Sequence, residues 1–190
     1  GSRDAGGSIP VLNYMREAAE ICSRVSHADI ERMAEALNSL RGKLYIIGLG
    51  GSLANAIHMA ADLRKLCDVD AEAFDNIAEL TARANDEGLE TIFMDWLKRS
   101  TKNDALMVLS VGGGTSVVSK SICKAIDVFK GQILGIVGPH GGHTAGKGDI
   151  VIRVPVENSK HVTPHTEAFQ AVIWHCLVSH PLLQRNPTKW

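Results

Sequence analysis

Apolar residues along this chain gather in two ways. Short unbroken runs such as Leu44–Ile47 and Ala105–Ser110 carry no polar alternation, the pattern of strands covered on both faces. Longer stretches between them repeat apolar residues every three to four positions, the helical period. The spacing predicts helices from about Pro10 to Val25 and from Ser26 onward, where Ser26 and Asp29 stand as a capping-box-like pair. Next come a strand over Leu44–Ile47, a helix over Leu53–Leu66 and a short strand over Ala71–Phe74. Helical turns follow through Leu80 and again from Glu90 to Arg99, then a strand over Ala105–Ser110 and a helix over Val117–Lys130. Strands over Gln132–Val137 and Asp149–Val154 precede a closing helix, Pro164–Ser179. Apolar strands alternating with helices predict an α/β fold with a parallel sheet flanked by helices. Residues 9–190 read as a single domain. Residues 1–8, which lack a Met and are rich in Gly and Ser, read as a tag remnant or a disordered lead.

Composition narrows the classes. With 190 residues, 45% apolar and 22% charged, the chain suits one soluble domain. A net charge of −1 gives no basic footprint, so no nucleic-acid partner is expected. No apolar run approaches the ~18 residues of a membrane span, so no membrane role is expected either. Cys22, Cys67, Cys123 and Cys176 form no C-x-x-C pair and read as free thiols in a reducing, cytoplasmic setting.

Ligands of such sheets bind at the carboxyl ends of the strands. Two loops there have the residues of a phosphate cradle: Gly48–Ser52 after the first strand and Ser110–Ser116 after the third. Glycines let the backbone approach a ligand, and the following helix presents free N–H groups to an anion. The first loop lacks both G-x-G-x-x-G and G-K-[ST], so a dinucleotide or nucleoside triphosphate is not the first expectation. His58 and Asp62 follow on one face of the first βα helix, about one turn apart. They could equally be a simple surface pair, and His175 a satisfied core histidine. His140 and His143, set among glycines, read as part of a mobile loop rather than as ligands.

Taken together, Gly48–Ser52 with His58 and Asp62, then Asn85, Asp86 and Gly88, the Ser110–Thr115 loop, Gly138 with Gly141 and Gly142, and Glu167 with His175 are recognisable. In order and spacing they resemble the sugar isomerase domain family, and within it the sedoheptulose 7-phosphate isomerases (phosphoheptose isomerases). The resemblance covers nearly the whole chain. It implies a flavodoxin-like, five-stranded parallel sheet with N-terminal helices, a homotetramer with active sites at subunit boundaries, and a zinc or similar divalent metal. The implied reaction converts D-sedoheptulose 7-phosphate into D-glycero-D-manno-heptose 7-phosphate. Carried over by position, Leu49, Gly50, Gly51, Ser52, Asp75, Asn76, Ser110, Val111, Gly112, Thr115 and Glu167 would contact substrate. His58, Asp62, Glu167 and His175 would hold the metal, and Asp62, Glu167 and His175 would move protons.

Several positions depart from the family. Leu49 replaces an Asn, Asn76 an Asp, Asp62 a Glu and Glu167 a Gln, while Val111 and Gly112 replace two hydroxyl residues and Thr115 a Ser. Aldose–ketose exchange moves a proton between C1 and C2 through an enediol, which needs a base, a carbonyl polariser and a remote handle. Asp62 or Glu167 can be the base and His175 a second acid/base; two imidazoles and two carboxylates suit zinc. Glu167 and His175 lie about 12 Å apart along an ideal helix and ~80° out of register, so sharing an ion needs a lean, a distortion or a second subunit. Two alternatives stay open: an isomerase of another sugar phosphate, and a non-catalytic sugar-phosphate sensor or protein-binding regulator.

Overall fold

The computed structural model describes residues 9–190. The expected lead over residues 1–8 therefore lies outside the described residues. Helices α1 (Pro10–Arg24) and α2 (His27–Asn38) come first, and the Ser26 hydroxyl accepts the Asp29 N–H, as the capping pair predicts. Then β1 (Leu44–Ile47), α3 (Gly51–Cys67), β2 (Ala71–Ala73), α4 (Ile77–Asp86), a 3-10 turn (Leu89–Thr91) and α5 (Met94–Leu97) follow. The second half runs β3 (Ala105–Ser110), α6 (Lys120–Val128), β4 (Gln132–Val137), α7 (Gly142–Lys147), β5 (Ile150–Arg153) and α8 (Val162–Val178). The five strands form one sheet in the order β2-β1-β3-β4-β5, every pair parallel.

Side-chain alternation along the strands divides the core in two. Leu44, Ile46, Met107 and Leu109 face α1, α2, α3 and α8, where Met33, Met59, Leu63, Ile173 and Trp174 are buried. Tyr45, Ile47, Leu106 and Val108 face the other way, onto Phe74, Phe93, Leu97 and Ile122. Both faces are dry, which is why the strand sequences carry no polar alternation.

Local differences from the sequence reading have physical causes. α6 begins at Lys120 rather than Val117, because the Thr115 hydroxyl accepts the Val117 and Val118 N–H groups at 3.2 and 2.9 Å. That side chain holds the segment in a turn and withholds the donors a helix would use. α4 extends through Asp86, nucleated by Asn76, whose side chain accepts the Glu79 N–H at 3.1 Å. The glycine-rich stretch expected to be a mobile loop is instead α7. Gly141 and Gly142 take positive φ just before the turn tightens, and His143 bonds the Asp127 carboxylate of α6 at 2.8 Å.

The edge opposite the loops is tied by one carboxylate. Asp104, 8% exposed, accepts the Lys43 N–H at 2.7 Å and the Thr101 N–H at 2.6 Å, joining the starts of β1 and β3. Asp104→Ala strands two backbone donors and should lower stability by about 2–3 kcal/mol. Asp104→Asn, which keeps an acceptor, should lose clearly less when both are unfolded in urea; equal losses would remove this role.

Candidate active site

Helices α3 and α8 lie side by side, and a buried polar set fixes their register. The Ser52 hydroxyl exchanges hydrogen bonds with the Gln170 amide at 3.2 Å, and Gln170 also donates to the Ile136 carbonyl at 3.3 Å. Asn55 donates to the Gln170 side-chain oxygen at 3.0 Å and to the Glu167 carbonyl at 2.9 Å. Gln170 is wholly buried and Ser52 is 2% exposed, so these bonds form out of reach of competing water. The set fixes which turn of α3 meets which turn of α8.

That register brings His58 and Asp62 of α3 beside His175 of α8, one ligand atom from each lying within 4.8 Å of the others. His58 Nε2 stands 3.5 Å from Asp62 Oδ2. The His175 ring stacks on buried Trp174 at 3.6 Å between centroids, and the His58 ring meets Trp174 edge-on at 4.6 Å. His175 Nδ1 lies 2.7 Å from the Ala171 carbonyl. A carbonyl only accepts, so Nδ1 carries the ring proton and Nε2 presents its lone pair. Two imidazoles, one with its tautomer fixed this way, and a carboxylate fit a borderline divalent cation such as zinc. The helix-offset difficulty falls on Glu167, which is not in this group. A side chain built on Gly51 would bring its Cβ within 1.8 Å of Glu167 Oε2, so the Glu167 carboxylate lies directly over the start of α3.

The remaining expected residues divide by what already holds them. Gly50, with φ +59, and Gly112 face open space, and Leu49 is partly buried against the Phe93 side of the core. Ser52 points inward to Gln170 rather than out of the loop. The Ser110 hydroxyl accepts the Gly113 N–H at 3.0 Å, and Thr115 is engaged in its turn. Val111 is half-buried beside them. Asp75 and Asn76 line a cleft of about 380 Å³ with Lys43, Tyr45 and Trp96, Asp75 also bordering Ile57 and Ala61 of α3 and Asn76 being the cap of α4. The third-strand loop meshes with the α7 turn. A Cβ on Gly113 would fall 2.0 Å from the Gly141 carbonyl oxygen, and one on Gly142 2.2 Å from that of Gly112.

The sequence reading missed Asn55 and Gln170, which lie one turn from Ser52 and Glu167 and look like ordinary helix polar residues until the helices pack. It also missed His161 and His165, a histidine pair at i and i+4 that could have been noticed.

No family model matches the chain. It is 31% identical over 159 residues to the phosphoheptose isomerase of Geotalea daltonii, covering 79% of each chain. The chain belongs to the phosphoheptose isomerase family. The phosphoheptose isomerase of Syntrophotalea carbinolica is 26% identical over 181 residues, covering 88% of this chain and 90% of that one. Phosphoheptose isomerase GmhA from Neisseria gonorrhoeae shares the fold, with a TM-score of 0.77 at 22% identity over 88% of this chain and 94% of that one. This member of the phosphoheptose isomerases is accordingly an isomerase, and the five-stranded sugar isomerase fold expected of it is the fold found.

In this isomerase the Glu167 carboxylate occupies the N-terminus of α3, the natural seat of an anion. A phosphate on the Gly50–Gly51 backbone would meet that charge. Glu167→Gln should therefore tighten binding of a sugar phosphate, by about 1 kcal/mol or roughly fivefold. Calorimetry at constant ionic strength measures it, and an unchanged or weaker affinity would refute the repulsion.

Proposed function

We propose that the chain converts D-sedoheptulose 7-phosphate into D-glycero-D-manno-heptose 7-phosphate by proton transfer through an enediol, assisted by a divalent metal. The observation that carries this reading is the convergence of His58, Asp62 and His175 a fixed distance along α3 from the glycine loops. Gly51 and His58 are about 10 Å apart along the helix axis. At about 1.2 Å of reach per bond, the eight bonds from phosphorus to C1 of a seven-carbon sugar cover a similar span. A three-carbon phosphate is too short to use both ends at once.

In this reading the backbone N–H groups of Gly50, Gly51, Gly112 and Gly114 hold the phosphate, standing in for the hydroxyls absent at Val111 and Gly112, while the Gly113 N–H stays on Ser110. Asp62 takes the C1 proton and returns it at C2. His175, its Nδ1–H fixed on the Ala171 carbonyl, trades the hydroxyl proton between O1 and O2 through Nε2. His58 and Asp62 would hold the ion, with His175 Nε2 a third ligand only while it carries no hydroxyl proton, and Glu167 within reach only if its side chain leaves Gly51. A bound zinc would supply Lewis acidity to the sugar carbonyl.

The same reading includes a homotetramer. Val11, Leu12 and Met15 form an exposed apolar stripe on α1, 72%, 40% and 61% accessible, and exposed Ile57 and Val172 flank the histidine group. A neighbouring subunit over these surfaces would exclude water from a site that is otherwise open. No helix among the described residues is long and apolar enough to cross a membrane, and the four cysteines are free, which supports a cytoplasmic setting.

His175→Ala should lower turnover by roughly 10²–10⁴ while KM changes only a few-fold, as for a group acting mainly in the transition state. NMR of sedoheptulose 7-phosphate conversion measures it, and exhaustive chelation of the unaltered enzyme should reproduce the loss. Full activity of the chelated His175→Ala protein would overturn the metal-assisted mechanism. Light scattering should give a tetramer at micromolar concentration, and Val11→Asp with Met15→Asp should reduce the mass without lowering helix content. A monomeric parent protein would end the shared-site model.

A further inference from the structure

A second cluster of ligand-type side chains lies between α1 and the start of α8 and shares no residue with the proposed catalytic group. His161 stands just before α8 and His165 one turn inside it, so both rings project from one face. From α1, Glu17 reaches both. Its Oε2 lies 2.7 Å from His161 Nδ1 and 3.0 Å from His165 Nε2, and the three ligand atoms fall within 4.8 Å of one another. The geometry points to a second divalent-cation site, of the zinc class, held by Glu17, His161 and His165 and clasping α1 to α8.

Several features beyond proximity support it. Asn158 Nδ2 donates to Glu17 Oε1 at 2.7 Å and also lies 3.1 Å from His161 Nδ1. That nitrogen cannot donate to Glu17 and accept from Asn158 at once, so hydrogen bonding alone leaves one of the contacts unsatisfied. A cation on the Nδ1 lone pair would replace the direct Glu17–His161 bond with a shared ion, while Asn158 orients the carboxylate through Oε1. Tyr14 stacks on His165 at 4.2 Å and meets His161 edge-on at 5.1 Å, which fixes both rings. Two imidazoles and one carboxylate leave a fourth position for water. That position has an outlet, since His165 is buried but Glu17 remains 26% exposed and borders a surface cavity of about 180 Å³ with Arg24 and Asn158.

The competing arrangement is a purely hydrogen-bonded clasp, and metal stoichiometry separates the two. His58→Ala with His175→Ala disables the first group, so the full-length double variant reports on the second alone. After equilibration with zinc chloride and removal of free ion, elemental analysis should find about one zinc per chain in that variant. Its melting temperature should rise with zinc, and cobalt(II) in place of zinc should give the visible absorption of a low-coordinate site. Adding Glu17→Gln and His161→Ala should abolish all three signals while the far-UV circular dichroism is retained. Should that combination fail to fold, His161→Gln alone should weaken zinc binding at least tenfold by competition with a chelator. A folded double variant holding less than about a tenth of an equivalent would overturn the site, as would zinc binding indifferent to Glu17 and His161. Because no arm depends on turnover, failure here is distinct from failure of the isomerase assignment.

Discussion

Everything the candidate site can do rests on the buried contact between α3 and α8. Two helices packed by apolar side chains alone can slide by a turn at modest cost, because one ridge resembles the next. Gln170 forbids the slide. It is enclosed, and its amide is matched at once to the Ser52 hydroxyl, the Asn55 amide and the Ile136 carbonyl. Any other register would leave several dry polar groups without partners, each costing on the order of 1–3 kcal/mol. The apolar packing gives these helices their attraction, and the polar set gives them their alignment. His58 and Asp62 meet His175 only in that alignment.

How much the sequence revealed follows the range of the interactions involved. β1, β3 and β4 begin and end where their apolar runs do, because burial on both faces leaves its mark in consecutive residues. The Ser26 cap was equally visible, being a contact across three residues. The start of α6 was not, since Thr115 intercepts donors that periodicity assigns to a helix. α7 escaped because a six-residue helix opened by two glycines has no period to detect. Ser52, expected in the loop before the helix, lies inside α3, which starts at Gly51, and its direction depends on Gln170, 118 residues away. Glu167 was read as a member of the histidine group. Its position over Gly51 depends on the missing Cβ of a glycine on another helix, which no local pattern encodes.

Glu167 also bears on the electrostatics at the start of α3. A carboxylate over the α3 N-terminus is itself favoured by the helix dipole, so it stabilises the ligand-free protein in the place where a phosphate would gain from the same field. A phosphate seated there would meet the Glu167 charge across Gly51.

The meshing of the third-strand loop with the α7 turn has a mechanical consequence. Gly113 and Gly142 each press against the other segment's backbone with no space for even a methyl group, and the Thr144 and His143 N–H groups bond across the seam to Gly113 and Gly114. The two loops are thereby welded into one jaw that moves as a block or not at all. Gly50, facing open space on the opposite lip, has no such bracing. Any adjustment to a bound ligand on the jaw side therefore involves both segments together, never one alone.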